Sequence, residues 1–362
     1  MSATLLEFPG AARARCRQGA TAETFDDLTY ARAASYLALG QLYLDDNPLL
    51  ADPLAPEHLK RHPAGPWRHV ATFNLLYAQL NRLVRLRDIP AALLAAPAGA
   101  APALLANLWL EGTYSERVPA VTRDVSGMRD LFRSYRGPLS VPAALGARVL
   151  VGGVADDLGP PRRCVLAARG ATLGAPASIA LCVVEDLDAP EVLGGTGPRG
   201  APPAGRDGLV LPVLLVPASG DRLARADELV RARGMQTLLV EETEELLAHA
   251  AVGETFVRAL EAHAAGERPA LVFVEPAVLE LPVGPDGESV HPASGAPDGG
   301  GEWLFLAHAA TDARERAALV DWMLSYAPDV LFDAAGAPAP RVAACAPPAG
   351  RRVGERVGVR PD

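Results

Sequence analysis

The sequence predicts an α/β protein, a mostly parallel sheet with helices packed on both faces. Three observations carry that reading. The runs Ile179 to Val184, Leu209 to Val216 and Ala270 to Val274 are continuously apolar, as strands covered on both faces are. Longer charged stretches separate them, Asp221 to Arg233 and Thr243 to about His263, with the length and spacing of helices. Short turns join strand to helix, which favours parallel neighbours with right-handed crossovers.

The elements follow in order. Residues 1–28 read as a flexible arm. Asp26 and Asp27 stand where an N-cap belongs, ahead of the apolar stretch Tyr30 to Leu44. Phe73, Leu76, Tyr77, Leu80 and Val84 recur at three- and four-residue steps, with Asn81, Arg82 and Arg85 between them, giving a helix with one buried stripe. Pro102 to Leu110 predicts another helix, with proline tolerated in its first turn. The strand–helix series follows and includes a short strand, Gln236 to Val240. Gly194 to Gly208 and Pro282 to Gly301 are rich in glycine and proline and read as surface loops. A helix from Asp312 to Tyr326 leads into an alanine- and proline-rich tail. The division expected is therefore an arm, 1–28; an α/β domain, 29–281; and an extension of loop, helix and tail, 282–362.

Composition narrows the function classes. With 362 residues, 49% hydrophobic and 21% charged, the chain has the make-up of a globular protein with a substantial core. Its net charge of −9 does not suit a general nucleic-acid binder, which needs a cationic face. No apolar run reaches the roughly 18 residues of a membrane span. Cys16, Cys164, Cys182 and Cys345 are far apart in sequence, without a CxxC pair, so neither a zinc cage nor a disulfide framework is expected. No signal-peptide pattern is seen, and the expected location is cytoplasmic.

Several motifs invite chemistry. Gly195-Thr-Gly-Pro-Arg-Gly200 matches GxGxxG, but it lies well past its strand, and Pro202 and Pro203 follow where a helix should open. It reads as a loop. His58, His62 and His69 could suggest metal ligands, yet no carboxylate or cysteine completes the set, and they read as solvated. Glu185, Asp186 and Asp188 follow a buried strand at its carboxyl end, where open α/β sheets bind ligands. Arg162, Arg163 and Arg169 read as surface charges.

Particular stretches then resemble a known family. Tyr30-Ala-Arg-Ala-Ala-Ser-Tyr-Leu-Ala-Leu-Gly-Gln-Leu-Tyr-Leu-Asp-Asp-Asn-Pro-Leu-Leu50, Asn74-Leu-Leu-Tyr-Ala-Gln-Leu-Asn-Arg82 and Pro102-Ala-Leu-Leu-Ala-Asn-Leu-Trp-Leu-Glu-Gly-Thr-Tyr-Ser115 are similar to the N-terminal domain of the thiamine-diphosphate-dependent phosphoketolases. Ser325-Tyr-Ala-Pro-Asp-Val-Leu-Phe-Asp333 and Ala346 to Arg352 extend the similarity. The resemblance implies a three-layer thiamine-diphosphate-binding fold. It also implies an enzyme family that cleaves xylulose 5-phosphate or fructose 6-phosphate with phosphate, giving acetyl phosphate. Only that family's first domain is matched, and its cofactor lies between two domains.

Set against the family's motifs, the positions that carry chemistry are rewritten. The resemblance places family histidines at Pro66, Gln79 and Gly99. Its metal and diphosphate motif falls on Glu185-Asp186-Leu187, where Asp186 survives as a vestigial metal ligand and the flanking glycines are gone. Leu187 obstructs and Glu185 repels a diphosphate there. No asparagine occurs after Asn107 to complete the motif, and no histidine lies between His69 and His249. The expectation is a catalytically inactive domain with a binding or scaffolding role, taking no cofactor by itself although the family uses thiamine diphosphate and Mg2+. The alternative is one chain of a split enzyme completed by a partner. The expected partners are a second copy or another protein chain, with neither nucleic acid nor membrane.

Overall fold

Five parallel strands form one sheet: β1 (Ala91–Ala95), β2 (Ile179–Glu185), β3 (Leu209–Pro217), β4 (Gln236–Val240) and β5 (Pro269–Glu275), in the order β1-β2-β3-β5-β4. The computed structural model describes residues 22–65, 67, 69–95, 100–136, 160–185, 188–195, 206–217, 221–242, 244–275 and 306–355. β2 and β3 are almost wholly buried, as their unbroken apolar runs require. Cys182 on β2 sits opposite Leu94 of β1 on one side and Pro212 of β3 on the other. β4, at the edge, alternates between buried and partly exposed residues.

β1 is a strand that the sequence does not announce. Ala91-Ala-Leu-Leu-Ala95 is alanine-rich, and alanine has little intrinsic preference for strands. Its conformation comes from pairing along its whole length with β2 and from complete burial.

Helices pack around the sheet. The first, α1 (Ala22–Tyr43), is buried on most sides and lies against α2 (Val70–Arg87), α3 (Ala101–Glu111) and α5 (Val125–Ser134). Between α3 and α5 comes the short α4 (Thr113–Arg117), turned off α3 by Gly112 at φ 95°, a left-handed position suited to glycine. Beyond these come α6 (Pro160–Thr172), α7 (Ala189–Gly195), α8 (Arg222–Ala232) and α9 (Glu245–Ala264). The chain continues with α10 (Ala313–Ser325), α11 (Pro328–Leu331) and α12 (Pro340–Ala343). Among the described residues, no helix is long and apolar enough to cross a membrane.

One sequence expectation is corrected here. Asp27 does not cap α1. It lies within the helix, fully buried, and its carboxylate takes the guanidinium groups of Arg82 and Arg85, each at 3.1 Å. Asp312 does cap α10, accepting from the Arg314 N–H at 2.7 Å. Trp322 of α10 packs edge-on against Trp67 at 4.9 Å and against Tyr43 at 6.4 Å, so α10 closes the core over α1.

The only lysine, Lys60, is buried as well. Its ammonium donates to the carbonyls of Gln41, Phe132 and Tyr135 and stands over the Tyr135 ring. Burial lowers its pKa to about 7.

Candidate functional site

The carboxyl ends of parallel strands are where an open α/β sheet presents its chemistry. Both β2 and β5 end in glutamate, Glu185 and Glu275. β3 runs between them, so the two strand ends are about 9.5 Å apart at ordinary sheet spacing. His69 spans that gap. Its Nδ1 lies 2.7 and 2.8 Å from the two Glu275 oxygens, and its Nε2 lies 3.1 Å from Glu185 Oε1. Thr72 donates its hydroxyl to Glu275 Oε1 at 2.9 Å.

Local backbone geometry sets this arrangement. His69 precedes the first turn of α2 with φ at +69°, a left-handed value that residues with a Cβ adopt at some cost. Its carbonyl accepts the Phe73 N–H, so the helix holds the ring in place. The ring is buried, with 1% of its side chain exposed, while the Glu185 and Glu275 side chains retain 29% and 17%. A carboxylate at each ring nitrogen is fully satisfied when the ring carries both protons, because a neutral imidazole has one N–H. The site is thus an imidazole beneath a rim of two carboxylates.

The structure separates the residues that the sequence groups together. His58 is half-buried and accepts the Ala55 N–H at its Nδ1, closing the turn Pro56–His58, and His62 is exposed. Neither joins His69, and the expectation that all three histidines are solvated fails for His69. Gln79 lies ten residues along α2 from His69, about 15 Å at the helical rise. Its amide Nε2 faces Nδ1 of the buried His249 on α9 at 3.1 Å. Burial, helped by the charge of Arg82, lowers the His249 pKa to about 3, so this ring is neutral. α9 approaches closely because residue 253 is glycine, where a Cβ would come within 2.6 Å of Gln79 Oε1.

Gly195 is the last residue of α7, so the glycine motif begins at a helix end, the wrong end for holding a phosphate. Arg162 of α6 is exposed and pairs with Glu191 at 3.7 Å. Cys164 and Cys182, far apart in sequence, are neighbours in the core as free thiols. Pro66, Gly99, Asp186 and Leu187 lie outside the described residues.

Sequence reading singled out Glu185 but missed Glu275, Thr72 and the role of His69. A signal was present: Val183-Val184-Glu185 and Phe273-Val274-Glu275 both close an apolar run with glutamate at the carboxyl end of a strand.

Comparison with known proteins gives a consistent answer. The family model described as the XFP N-terminal domain matches residues 20–259. A probable phosphoketolase of Bradyrhizobium diazoefficiens is 33% identical over 375 residues, covering 93% of this chain and 45% of the relative. A probable phosphoketolase of Streptomyces coelicolor is 34% identical over 353 residues, with coverages of 89% and 43%. One from Mesorhizobium japonicum is 35% identical over 367 residues, with coverages of 91% and 43%. The chain spans less than half the length of these relatives.

These matches overturn the expectation that no cofactor goes with this chain. The relatives are phosphoketolases, enzymes that use thiamine diphosphate, and that group comes with the family. The described residues at the strand ends do not fit its diphosphate. Phosphate oxygens are held by N–H donors and cations, whereas Glu185 and Glu275 present negative charge and already engage the imidazole between them. Among the described residues, no group of three or more histidine, cysteine, aspartate or glutamate side chains is arranged to hold a metal ion.

Proposed function

Because this chain belongs to the phosphoketolase family through its N-terminal domain, we propose that it is a catalytically inactive form of that domain, kept for binding or scaffolding. One observation carries the reading: the Glu185–His69–Glu275 bridge closes the strand ends with an anionic rim. Sugar phosphates and inorganic phosphate are themselves anions, so this rim opposes the reactants that the family name implies. Gln79 supports the same reading, since it packs against a neutral histidine far from the strand ends. The role we assign is at the level of protein association, with a second copy of the chain or another protein, in the cytoplasm.

The test is direct. The purified chain is incubated with xylulose 5-phosphate or fructose 6-phosphate, phosphate, thiamine diphosphate and Mg2+, and acetyl phosphate is trapped as the hydroxamate. The expected yield matches a protein-free blank. Turnover above it overturns the proposal, whereas cofactor binding without turnover is compatible with it. Light scattering tests the association arm: a monomer that co-purifies with no other chain would count against it.

A further inference from the structure

In the helix layer, away from the strand ends, α2 and α9 border a cleft of about 500 Å³, a volume within the range of small-molecule sites. α2 lines it with Gln79, Leu83 and Leu86, which share one helical face, and with Arg87 in the last turn. The facing stripe of α9 carries Gly253 and Val257. A Cβ on Gly253 would meet Gln79 Oε1 at 2.6 Å and Gln79 Cδ at 3.6 Å, and nothing else beyond its own helix within 4 Å. The cleft is therefore open at the glycine down to the Gln79 amide.

Among the described residues, two polar groups of this cleft have no partner. Gln79 is 1% exposed, and its Nε2 is taken by His249 at 3.1 Å and by the Asp27 carboxylate. That orientation turns Oε1 towards Gly253 and leaves it without a hydrogen bond. A buried carbonyl oxygen left so is costly, and a donor from a bound molecule would recover that cost. Arg87, eight residues along α2 and about 12 Å away at the helical rise, is exposed and has no ion pair among the described residues. Arg82 also lines the cleft but is committed, donating to Asp27 at 3.1 Å and to Thr24 at 3.3 Å. Glu254, on the α9 side, has an interaction of its own. Leu83, Leu86 and Val257 make the middle of the cleft apolar, and Leu86 is 52% exposed.

We propose that the cleft binds a small organic acid with an apolar body. Its acid group pairs with Arg87, its body covers Leu83, Leu86 and Val257, and an O–H or N–H at its far end donates to Gln79 Oε1. One cation, one apolar wall and one buried acceptor thus set the charge, the bulk and the orientation of the bound molecule.

The probe is para-hydroxyphenylpropionate, which carries all three features. Calorimetric titration into the full chain is expected to show saturable binding at sub-millimolar concentration. Phenylpropionate, which lacks the hydroxyl, should bind about 10-fold more weakly, because Gln79 Oε1 is again left without a donor. Arg87→Gln should weaken binding of the hydroxylated acid by about 10-fold or more. Arg87 is exposed at a helix end, so this variant keeps the fold, which circular dichroism checks. Because the Gln79 amide faces His249, the imidazole resonances of His249 should shift during the titration with the same midpoint. Absence of saturable binding, equal affinity for the two acids, undiminished binding in folded Arg87→Gln, or unmoved His249 resonances at saturation would each overturn the proposal.

Discussion

His69 and His249 are both buried histidines that contact α2, and their surroundings are opposite. His69 lies at the carboxyl edge of the sheet with a carboxylate at each nitrogen, on a backbone turned to positive φ. His249 sits within the helix layer beside an amide, near the positive charge of Arg82, and is neutral. The first environment concentrates charge at a partly exposed rim; the second removes it. At the strand ends the charges stand at a partly exposed rim, whereas the helix layer holds the buried carboxylate of Asp27 between Arg82 and Arg85.

The largest expected effect lies in the helix layer. Arg82→Ala takes one of two cations from the buried Asp27, whose pKa burial already raises against the pull of Arg82 and Arg85. Removing one partner of a buried pair is expensive because the remaining charge is left poorly compensated, and a loss of about 3 kcal/mol is expected in urea unfolding. A loss below about 1 kcal/mol would mean that Arg85 alone suffices, and the contrast between the two regions would weaken.

At the strand ends the expected effect is smaller. His69→Ala leaves Glu185 and Glu275 without the ring between them but opens their rim to water, so about 2 kcal/mol is expected. His69→Gly loses the same ring and accepts positive φ freely, and should be more stable than the alanine variant by about 1 kcal/mol. Equal unfolding midpoints for the two variants would show that the backbone there carries no strain.

How much of this was legible follows the same division. The helix layer and the inner strands show in the sequence because burial writes itself as apolar periodicity: Phe73 to Val84 for α2, Leu209 to Val216 for β3. β1 does not show, because five small or aliphatic residues become a strand only when β2 lies beside them. Asp27 reads as a cap until Arg82 and Arg85, more than fifty residues away, are brought to it. The strand-end cluster was half visible. Glu185 and Glu275 mark their strands locally, but His69 reaches them only through the fold, and a histidine near proline and arginine gives no local sign of burial.

His249 makes the comparison measurable against pH. Its pKa falls from 6.5 to about 3 on folding, so the folded state disfavours the proton that the unfolded chain accepts. The stability it contributes is fully present above pH 6.5 and is lost as pH falls towards 3. His249→Gln, measured by thermal unfolding between pH 4 and pH 8, should lose part of the acid sensitivity of the wild type. An unchanged slope would assign that sensitivity to other groups.

The smallest effect expected is that of Gly253→Ala, and its size turns on which atom the new methyl meets. A Cβ there would lie 2.6 Å from Gln79 Oε1, too close without movement, but that oxygen is the far end of a flexible side chain. At Gly127 the first atom met is the Thr122 carbonyl oxygen at 1.7 Å, and only the backbone could yield. In α9 alanine also gains helix propensity, which offsets much of the clash, so a net loss of about 1 kcal/mol is expected. Because Gln79 can yield only by turning from His249, the alanine variant should also raise the His249 pKa, read from its imidazole proton resonances. A stable variant with an unmoved histidine would show that the amide is not what fixes the ring, and that burial and the Arg82 charge keep His249 neutral.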